Sequence, residues 1–274
     1  MPKLEEKTRL LLKKRPYLAK WFEDTRATKF NEHQLSHKKT ESLDEELIEK
    51  LIEVTPSQIA VGRTGTRFLT KDSLAMKAGH AVAKDAVYSE VHDEFIARLN
   101  CISLHSQNTD RENYLLYPSK GRRLDDESLE KLSREGTSNV DVQIIVGDGL
   151  AAWAAERNVE DLLPTLQREL QSNGFSVGKL IFVRFARVGI QDHIGVATNA
   201  KATVILVGER PGLGTGDSLS AYIAYGPKMD QDNSEKNCIS NIRKLGILPE
   251  AAALEIVSIL KRAFSTGKGG VSSL

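Results

Sequence analysis

The order of hydrophobic patterns predicts an α/β protein, with a largely parallel sheet in the C-terminal half preceded by a mostly helical region. Three observations carry this reading. Short apolar runs, "VDVQIIVGDG", "GKLIFVRFARVG" and "ATVILVGERPG", recur from about Val140 onward, and each ends in glycine. Between them lie "LAAWAAERNVEDLLPTLQRELQSNG" and "IQDHIGVATNA", which read as helices. Upstream, the chain is rich in mixed charge and carries helical stripes. Strands that alternate with helices imply right-handed crossovers, and hence a sheet covered on both faces.

In chain order, "ESLDEELIEKLIEVTP" places Ser42 as N-cap and Glu45 as its capping-box partner. Leu43, Leu47, Ile48, Leu51 and Ile52 form one stripe, and Pro56 ends the helix. A second helix follows Thr70, with Leu74, Ala78, Ala81, Val82 and Val87 expected to face a core. After the alternating segment, the length of "SAYIAYGP" and its terminal Gly226-Pro227 favour a strand. "PEAAALEIVSILKRAF" closes the pattern as an amphipathic helix with Pro249 in its first turn. The expected organisation is an N-terminal extension over 1–55, a helical subdomain over 56–125 and the α/β domain over 126–274.

Composition excludes several classes of function. Lys and Arg total 38 against 37 Asp and Glu, so no net field favours a nucleic acid or an anionic membrane. No apolar run approaches the ~20 residues of a membrane span, and "MPKLEEKTRLLLKKRP" lacks the apolar centre of a secretion signal. Two cysteines far apart, Cys101 and Cys238, point to a reducing compartment and no disulfide framework.

In an open parallel sheet, ligands bind beyond the carboxyl ends of the strands. That rule selects Gly147-Asp148-Gly149, Arg184 through Gly189, and Gly208 through Gly216. "GDGLAA" matches the G-x-G-x-x-G/A fingerprint of an NAD(P) site, here Gly147-x-Gly149. However, Asp148 sets a carboxylate where pyrophosphate would lie, and "LIFVR" ends in Arg184 with no acidic partner for a ribose. "GERPGLGTGDS" lacks the lysine and hydroxyl of a P-loop. Its glycines allow close backbone approach to a ligand. Glu209 is either an acceptor for amide or hydroxyl groups or a surface carboxylate paired with Arg210.

"DHIG", Asp192 to Gly195, fails the D-x-H-x-x-G spacing by which some proteins ligate cobalt, which makes His193 a helix-surface histidine. Cys238 in "NCISNIR" reads as a small buried hydrophobe, with no triad order around it. His80, Lys84 and Asp85 read as an ordinary polar helix face.

Taken together, "GRTG" (62–65), "HAVAKDAV" (80–87), "VDVQIIVGDGL" (140–150), "LVGERPGLGTGDSLSAY" (206–222) and "NCISNIR" (237–243) resemble the small (light) subunit of ethanolamine ammonia-lyase. The resemblance runs from roughly residue 55 onward. It implies an adenosylcobalamin-dependent lyase converting ethanolamine to acetaldehyde and ammonia, with the radical chemistry begun by cobalt–carbon homolysis. Substrate binding would lie in the barrel of a large subunit. The small subunit's Rossmann-like domain would cover the other side of the cobalamin at the interface, within a higher hetero-oligomer. By motif, the implied cofactor contacts are Val188 in "ARVG", Glu209 in "GERPGL" and Cys238 in "NCISN". The cofactor would keep its own base on cobalt, and no residue of this chain would touch substrate. The resemblance further implies a bacterial cytoplasmic enzyme, within a microcompartment for which Leu4, Leu11 and Leu12 are a candidate address. Lys84 and His193 depart from residues common in the family without disturbing these contacts.

Overall fold

The computed structural model describes residues 45–54, 59, 61–213 and 215–270. Ser42, Leu43 and the leucines of the N-terminus lie outside them. The chain divides into two compact units, residues 1–79 and 80–274.

In the first unit, helix α1 (Glu45–Val54) leaves Leu47 and Leu51 exposed. Strands β1 (Arg63–Thr64) and β2 (Arg67–Phe68) form a minimal hairpin turning through Gly65 at φ +60°. Asp72 fixes its base by accepting the Gly62 N–H at 3.0 Å. Helix α2 (Thr70–Tyr88) begins in this unit and runs on into the second, where it buries Ala83 and Ala86, whereas Leu74 and Ala81, expected to face the core, are exposed. Its small apolar residues occur on every side, so the sequence stripe is ambiguous and tertiary packing selects the alanine face.

The second unit is built on a six-stranded mixed sheet ordered β3-β5-β4-β6-β7-β8. The strands are β3 (Ile102–His105), β4 (Val142–Gly147), β5 (Ile181–Arg184), β6 (Ala202–Gly208), β7 (Leu219–Tyr225) and β8 (Lys236–Ile242). The first four in spatial order run parallel, while β7 and β8 pair antiparallel. The sheet is therefore less uniformly parallel than expected. The reason is local: among the described residues no helix lies between β6 and β7 to carry the chain back, so β7 returns beside β6 in the opposite sense. Strand β3 arises inside 56–125, the segment read as helical, and β8 also escaped the sequence reading.

Helices α3 (Asp93–Arg98), α4 (Arg111–Leu116) and α5 (Asp126–Glu135) precede β4. The crossovers are α6 (Ala152–Ser172) between β4 and β5, and α7 (Ile190–Thr198) between β5 and β6. Helix α8 (Pro249–Thr266) follows β8. Alternation in the strands supplies two cores. Val142, Ile144, Val146, Phe182, Val204 and Leu206 pack with α6 and α8, while Ile145, Ile181, Val183, Ile205 and Val207 pack with α5 and α7. Both faces being apolar is what makes "VQIIV" and "TVILV" continuous hydrophobic runs.

At the N-terminal ends of the parallel strands, Asp141 ties three segments together. Its carboxylate accepts from Lys201 Nζ at 2.8 Å, Ser176 N at 2.9 Å and Ser176 Oγ at 2.7 Å. The Lys201 bond, then Ser176, holds its pKa down at about 2. A depressed carboxylate adds stability above its unfolded pKa and loses it as pH falls through the folded one. Asp141→Asn is therefore expected to cost about 1 kcal/mol at pH 7, allowing for solvent around exposed Lys201, with the deficit closing between about pH 4 and 2. Denaturant midpoints of both proteins across that range test this. Among the described residues no helix is long and apolar enough to cross a membrane.

Candidate functional site

The parallel strands β4, β5 and β6 bring their carboxyl ends to one rim, and the loops leaving them surround a cavity of about 330 Å³. Gly149 and Leu150, Ala186 to Val188, and Val207 to Arg210 line it, one group from each segment chosen by the strand-end rule. Tyr114, Ser220, Tyr222 and Ser240 complete its lining.

Asp148 turns away from this cavity and into the protein. It is 1% exposed, and its carboxylate accepts the backbone N–H groups of Phe185 at 2.9 Å and Ala186 at 3.0 Å, so the β4 loop grips the β5 loop. Phe185 sits at φ +56°, a left-handed conformation that an aromatic residue holds only where its surroundings impose it. Arg111, itself buried, lies 3.7 Å from the Asp148 carboxylate and donates to the carbonyls of Val87 and Gly149. Burial pushes the Asp148 carboxyl up, against the pull of Arg111 and the backbone donors.

The glycines of this rim are likewise filled by protein. A Cβ on Gly149, at φ +60°, would stand 2.3 Å from the Gly208 carbonyl oxygen, and one on Gly208 would stand 2.1 Å from that of Ala151. Leu150 N donates to Gly208 O at 3.0 Å across the same junction. The Gly147-x-Gly149 pattern thus serves the close crossing of two main chains, which accounts for it without a pyrophosphate.

Glu209 enters the cavity from the end of β6. Its Oε1 accepts from Ser220 Oγ at 2.5 Å and Asn241 N at 2.9 Å, and its Oε2 from Ser218 Oγ at 2.8 Å. Of the two readings left open by the sequence, ion pairing with Arg210 is not found among the described residues. The carboxylate is an acceptor, with Oε2 retaining capacity for another donor. Cys238 stands opposite Tyr222 in the β7–β8 register, on the same sheet face as Ser240. It is exposed, which corrects the expectation of a buried hydrophobe: β8 is the edge strand of the sheet, with a neighbouring strand on one side only. The protein around it nonetheless pushes the thiol pKa up, more than the hydroxyls of Tyr222 and Ser220 pull it down. Burial, with Cys238 and Glu209, pushes the Tyr222 phenol up to about 12. Both groups are therefore protonated at neutral pH.

Val188 is half-buried and lines the cavity just ahead of α7. Beside it, Arg187 stacks on Tyr114, its guanidinium carbon 4.1 Å from the ring centroid, and its Nη2 donates to Tyr114 O at 2.9 Å. The Tyr114 hydroxyl donates to Ala186 O at 3.1 Å.

His193, on α7, accepts the Leu124 N–H on Nδ1 at 3.1 Å, and burial holds its pKa down. It is a neutral structural acceptor, more enclosed than a helix-surface residue. Asp192 forms a buried ion pair with Lys236 of β8 at 2.8 Å, so the two residues of the failed D-x-H pattern serve different neighbours.

The sequence model described as "Ethanolamine ammonia-lyase light chain (EutC)" matches residues 45–273. The ethanolamine ammonia-lyase small subunit of Clostridium perfringens is 41% identical over 217 residues, 79% of this chain and 74% of that protein. The chain belongs to the ethanolamine ammonia-lyase light chain family. The small subunit of Clostridium acetobutylicum is also 41% identical, over 84% of this chain and 95% of its own length. That of Listeria monocytogenes is 36% identical, over 84% and 79%.

Of the three positions that the family resemblance selects, Val188 and Glu209 line one cavity, and Cys238 lies on the strand beside its Tyr222 wall. Sequence reasoning missed Ser218, Ser220, Tyr222 and Ser240 as parts of this light-chain site. The alternation in "SLSAY" and "CIS" was a usable signal, because residues two apart on a strand share a face. Tyr114 left no comparable trace, since it belongs to a helix far upstream, whereas Arg187 fell within the Arg184–Gly189 segment that the strand-end rule selects without being singled out.

Proposed function

We propose that this chain is the cofactor-holding subunit of ethanolamine ammonia-lyase, covering one side of adenosylcobalamin where it meets the large subunit. The observation that carries this is the strand-end cavity, which gathers Val188 and Glu209 and adjoins Cys238. Cobalamin is a broad disk fringed with amides and trailing a nucleotide. A cavity of about 330 Å³ sits at the low end for even drug-sized ligands, so it suits one sector of such a disk and leaves the rest to a second polypeptide.

The residues present fit the group. Glu209 Oε2 accepts a peripheral amide N–H, Val188 packs against an apolar edge, and the hydroxyls of Ser220, Ser240 and Tyr222 offer further polar contacts. Cys238 as a protonated thiol and His193 with Nδ1 occupied are poor cobalt ligands, which supports a cofactor that keeps its own base bound. When bound, the cofactor supplies homolytic chemistry for hydrogen abstraction from ethanolamine, giving acetaldehyde and ammonia. This chain's part is to hold the corrin and exclude water from it. The parallel strands β3-β5-β4-β6 support reading the scaffold as Rossmann-like. The proposal includes a cytoplasmic assembly of both subunits within a microcompartment, and the bacterial sources of the relatives support its being bacterial.

The test is co-purification with the large subunit in the presence of adenosylcobalamin, followed by a visible spectrum. A corrinoid spectrum eluting with both chains is the expected result. A complex that forms without taking up corrinoid, or no complex at all, would overturn the proposal.

A further inference from the structure

We infer that Arg187 binds the phosphodiester of the cobalamin's nucleotide tail, so that the cavity orients the cofactor by charge: anion at the Arg187–Tyr114 wall, amides at the Glu209 wall. This rests on the cofactor-holding reading above.

Arg187 is fixed before any ligand arrives. Its backbone N–H donates to Gly121 O at 2.8 Å, its Nη2 donates to Tyr114 O, and its plane lies over the Tyr114 ring. Yet its charge is unanswered. Among the described residues Arg187 has no carboxylate within ion-pair distance, whereas Arg184 pairs with Asp93 and Arg123 with Asp230. Its Nε is buried without a hydrogen-bond partner. The neighbouring Arg111, stacked on the same ring at 4.7 Å, is answered by Asp148. Arg210, the second guanidinium lining the cavity, also makes no ion pair among the described residues. Among the described residues Glu209 is the single carboxylate lining the cavity, and it is already bonded to two serines and a backbone N–H.

The Arg187 Nε is sealed in the protein, which leaves the Nη1 end of the half-buried guanidinium, without an acceptor among the described residues, as the donor for a tetrahedral phosphate in the cavity. Val188, which also lines the cavity, adds a main-chain N–H that takes no acceptor among the described residues. Apart from the macrocycle itself, cobalamin has one anionic group, that phosphodiester, and the polar groups around its corrin rim are neutral amides. The same charge pattern disfavours ethanolamine, a cation, at this cavity.

The test compares cobalamin with cobinamide, which retains the corrin and its amides but lacks the phosphate and base. Both are titrated into the complex of this chain with the large subunit, followed by visible absorbance. Arg187→Gln is expected to weaken cobalamin binding by about tenfold or more at low ionic strength and to leave cobinamide binding within about twofold. Arg187→Lys should recover part of the loss, and added salt should shrink the difference. Equal weakening of both corrinoids would mean that Arg187 only braces the loop, and no effect on either would mean that it faces no anion. Each of those results overturns the inference while leaving the cofactor-holding reading intact. A wild-type complex that binds neither corrinoid overturns both.

Discussion

Asp148→Ala is expected to lower folding stability by about 3–5 kcal/mol, the cost of breaking a buried charge pair by removing one partner. Three buried groups lose their answer at once: the N–H of Phe185, the N–H of Ala186 and the guanidinium of Arg111, whose Nη2 already lacks a partner. The Phe185 turn also loses what imposes its positive φ, so Ala186, Arg187 and Val188 should leave their places at the cavity wall. Against a typical total stability of roughly 5–15 kcal/mol, the alanine variant could fail to fold. Asp148→Asn is the companion, since its single carbonyl oxygen satisfies one N–H and its amide meets the other, and it should cost less than the alanine. Urea denaturation of the two variants against the parent chain measures the difference. A loss below about 1 kcal/mol for the alanine would show that the carboxylate is not the clamp described.

Glu209→Ala should weaken cobalamin binding to the two-subunit complex by about 1–3 kcal/mol, roughly 5- to 150-fold, if Oε2 receives a buried amide. The side chain also braces the end of the sheet through Ser218, Ser220 and Asn241, so a stability loss is expected alongside. The two effects separate in Glu209→Gln, which keeps the length and one carbonyl acceptor but not the charge, and should fall between parent and alanine in affinity. Ser218→Ala removes one brace from the carboxylate while leaving it in place, and should reduce stability with little change in affinity. Should correctly folded Glu209→Ala complex bind cobalamin as tightly as the parent, the carboxylate would be a brace alone.

Periodicity made much of the architecture legible. "VQIIV" and "TVILV" read as strands because they alternate with helical segments, Pro249 opens α8, and the strand-end rule selects the cavity's three loops. Where the reading fell short, the segments were short or polar. "ISLH" gives β3 four residues of alternation, too few to stand out from the helices around it. "KNCISNI" is an edge strand, and its polar residues resemble a loop because one side of it faces solvent. The exposure of Leu74 and burial of Ala83 show the complementary limit, since a helix with small residues all round does not declare its buried side.

Asp148 shows most plainly how the two levels divide. From the sequence, its place between two glycines argued against a pyrophosphate, because a carboxylate is an unwelcome neighbour for an anion; in the structure that carboxylate faces the protein instead. That argument depended only on residue type and spacing. Whether the carboxylate would face a ligand or the protein could not be read there, because its partners, Arg111, Phe185 and Ala186, lie tens of residues away on either side. Side-chain chemistry, alternation and the family motif were fixed by the chain itself. The union of Val188, Glu209 and Tyr222 around one cavity, and the orphaned charge of Arg187, were decided by folding. Only the crossing of the strand ends sets which distant groups share a desolvated space and which are left without a counterpart.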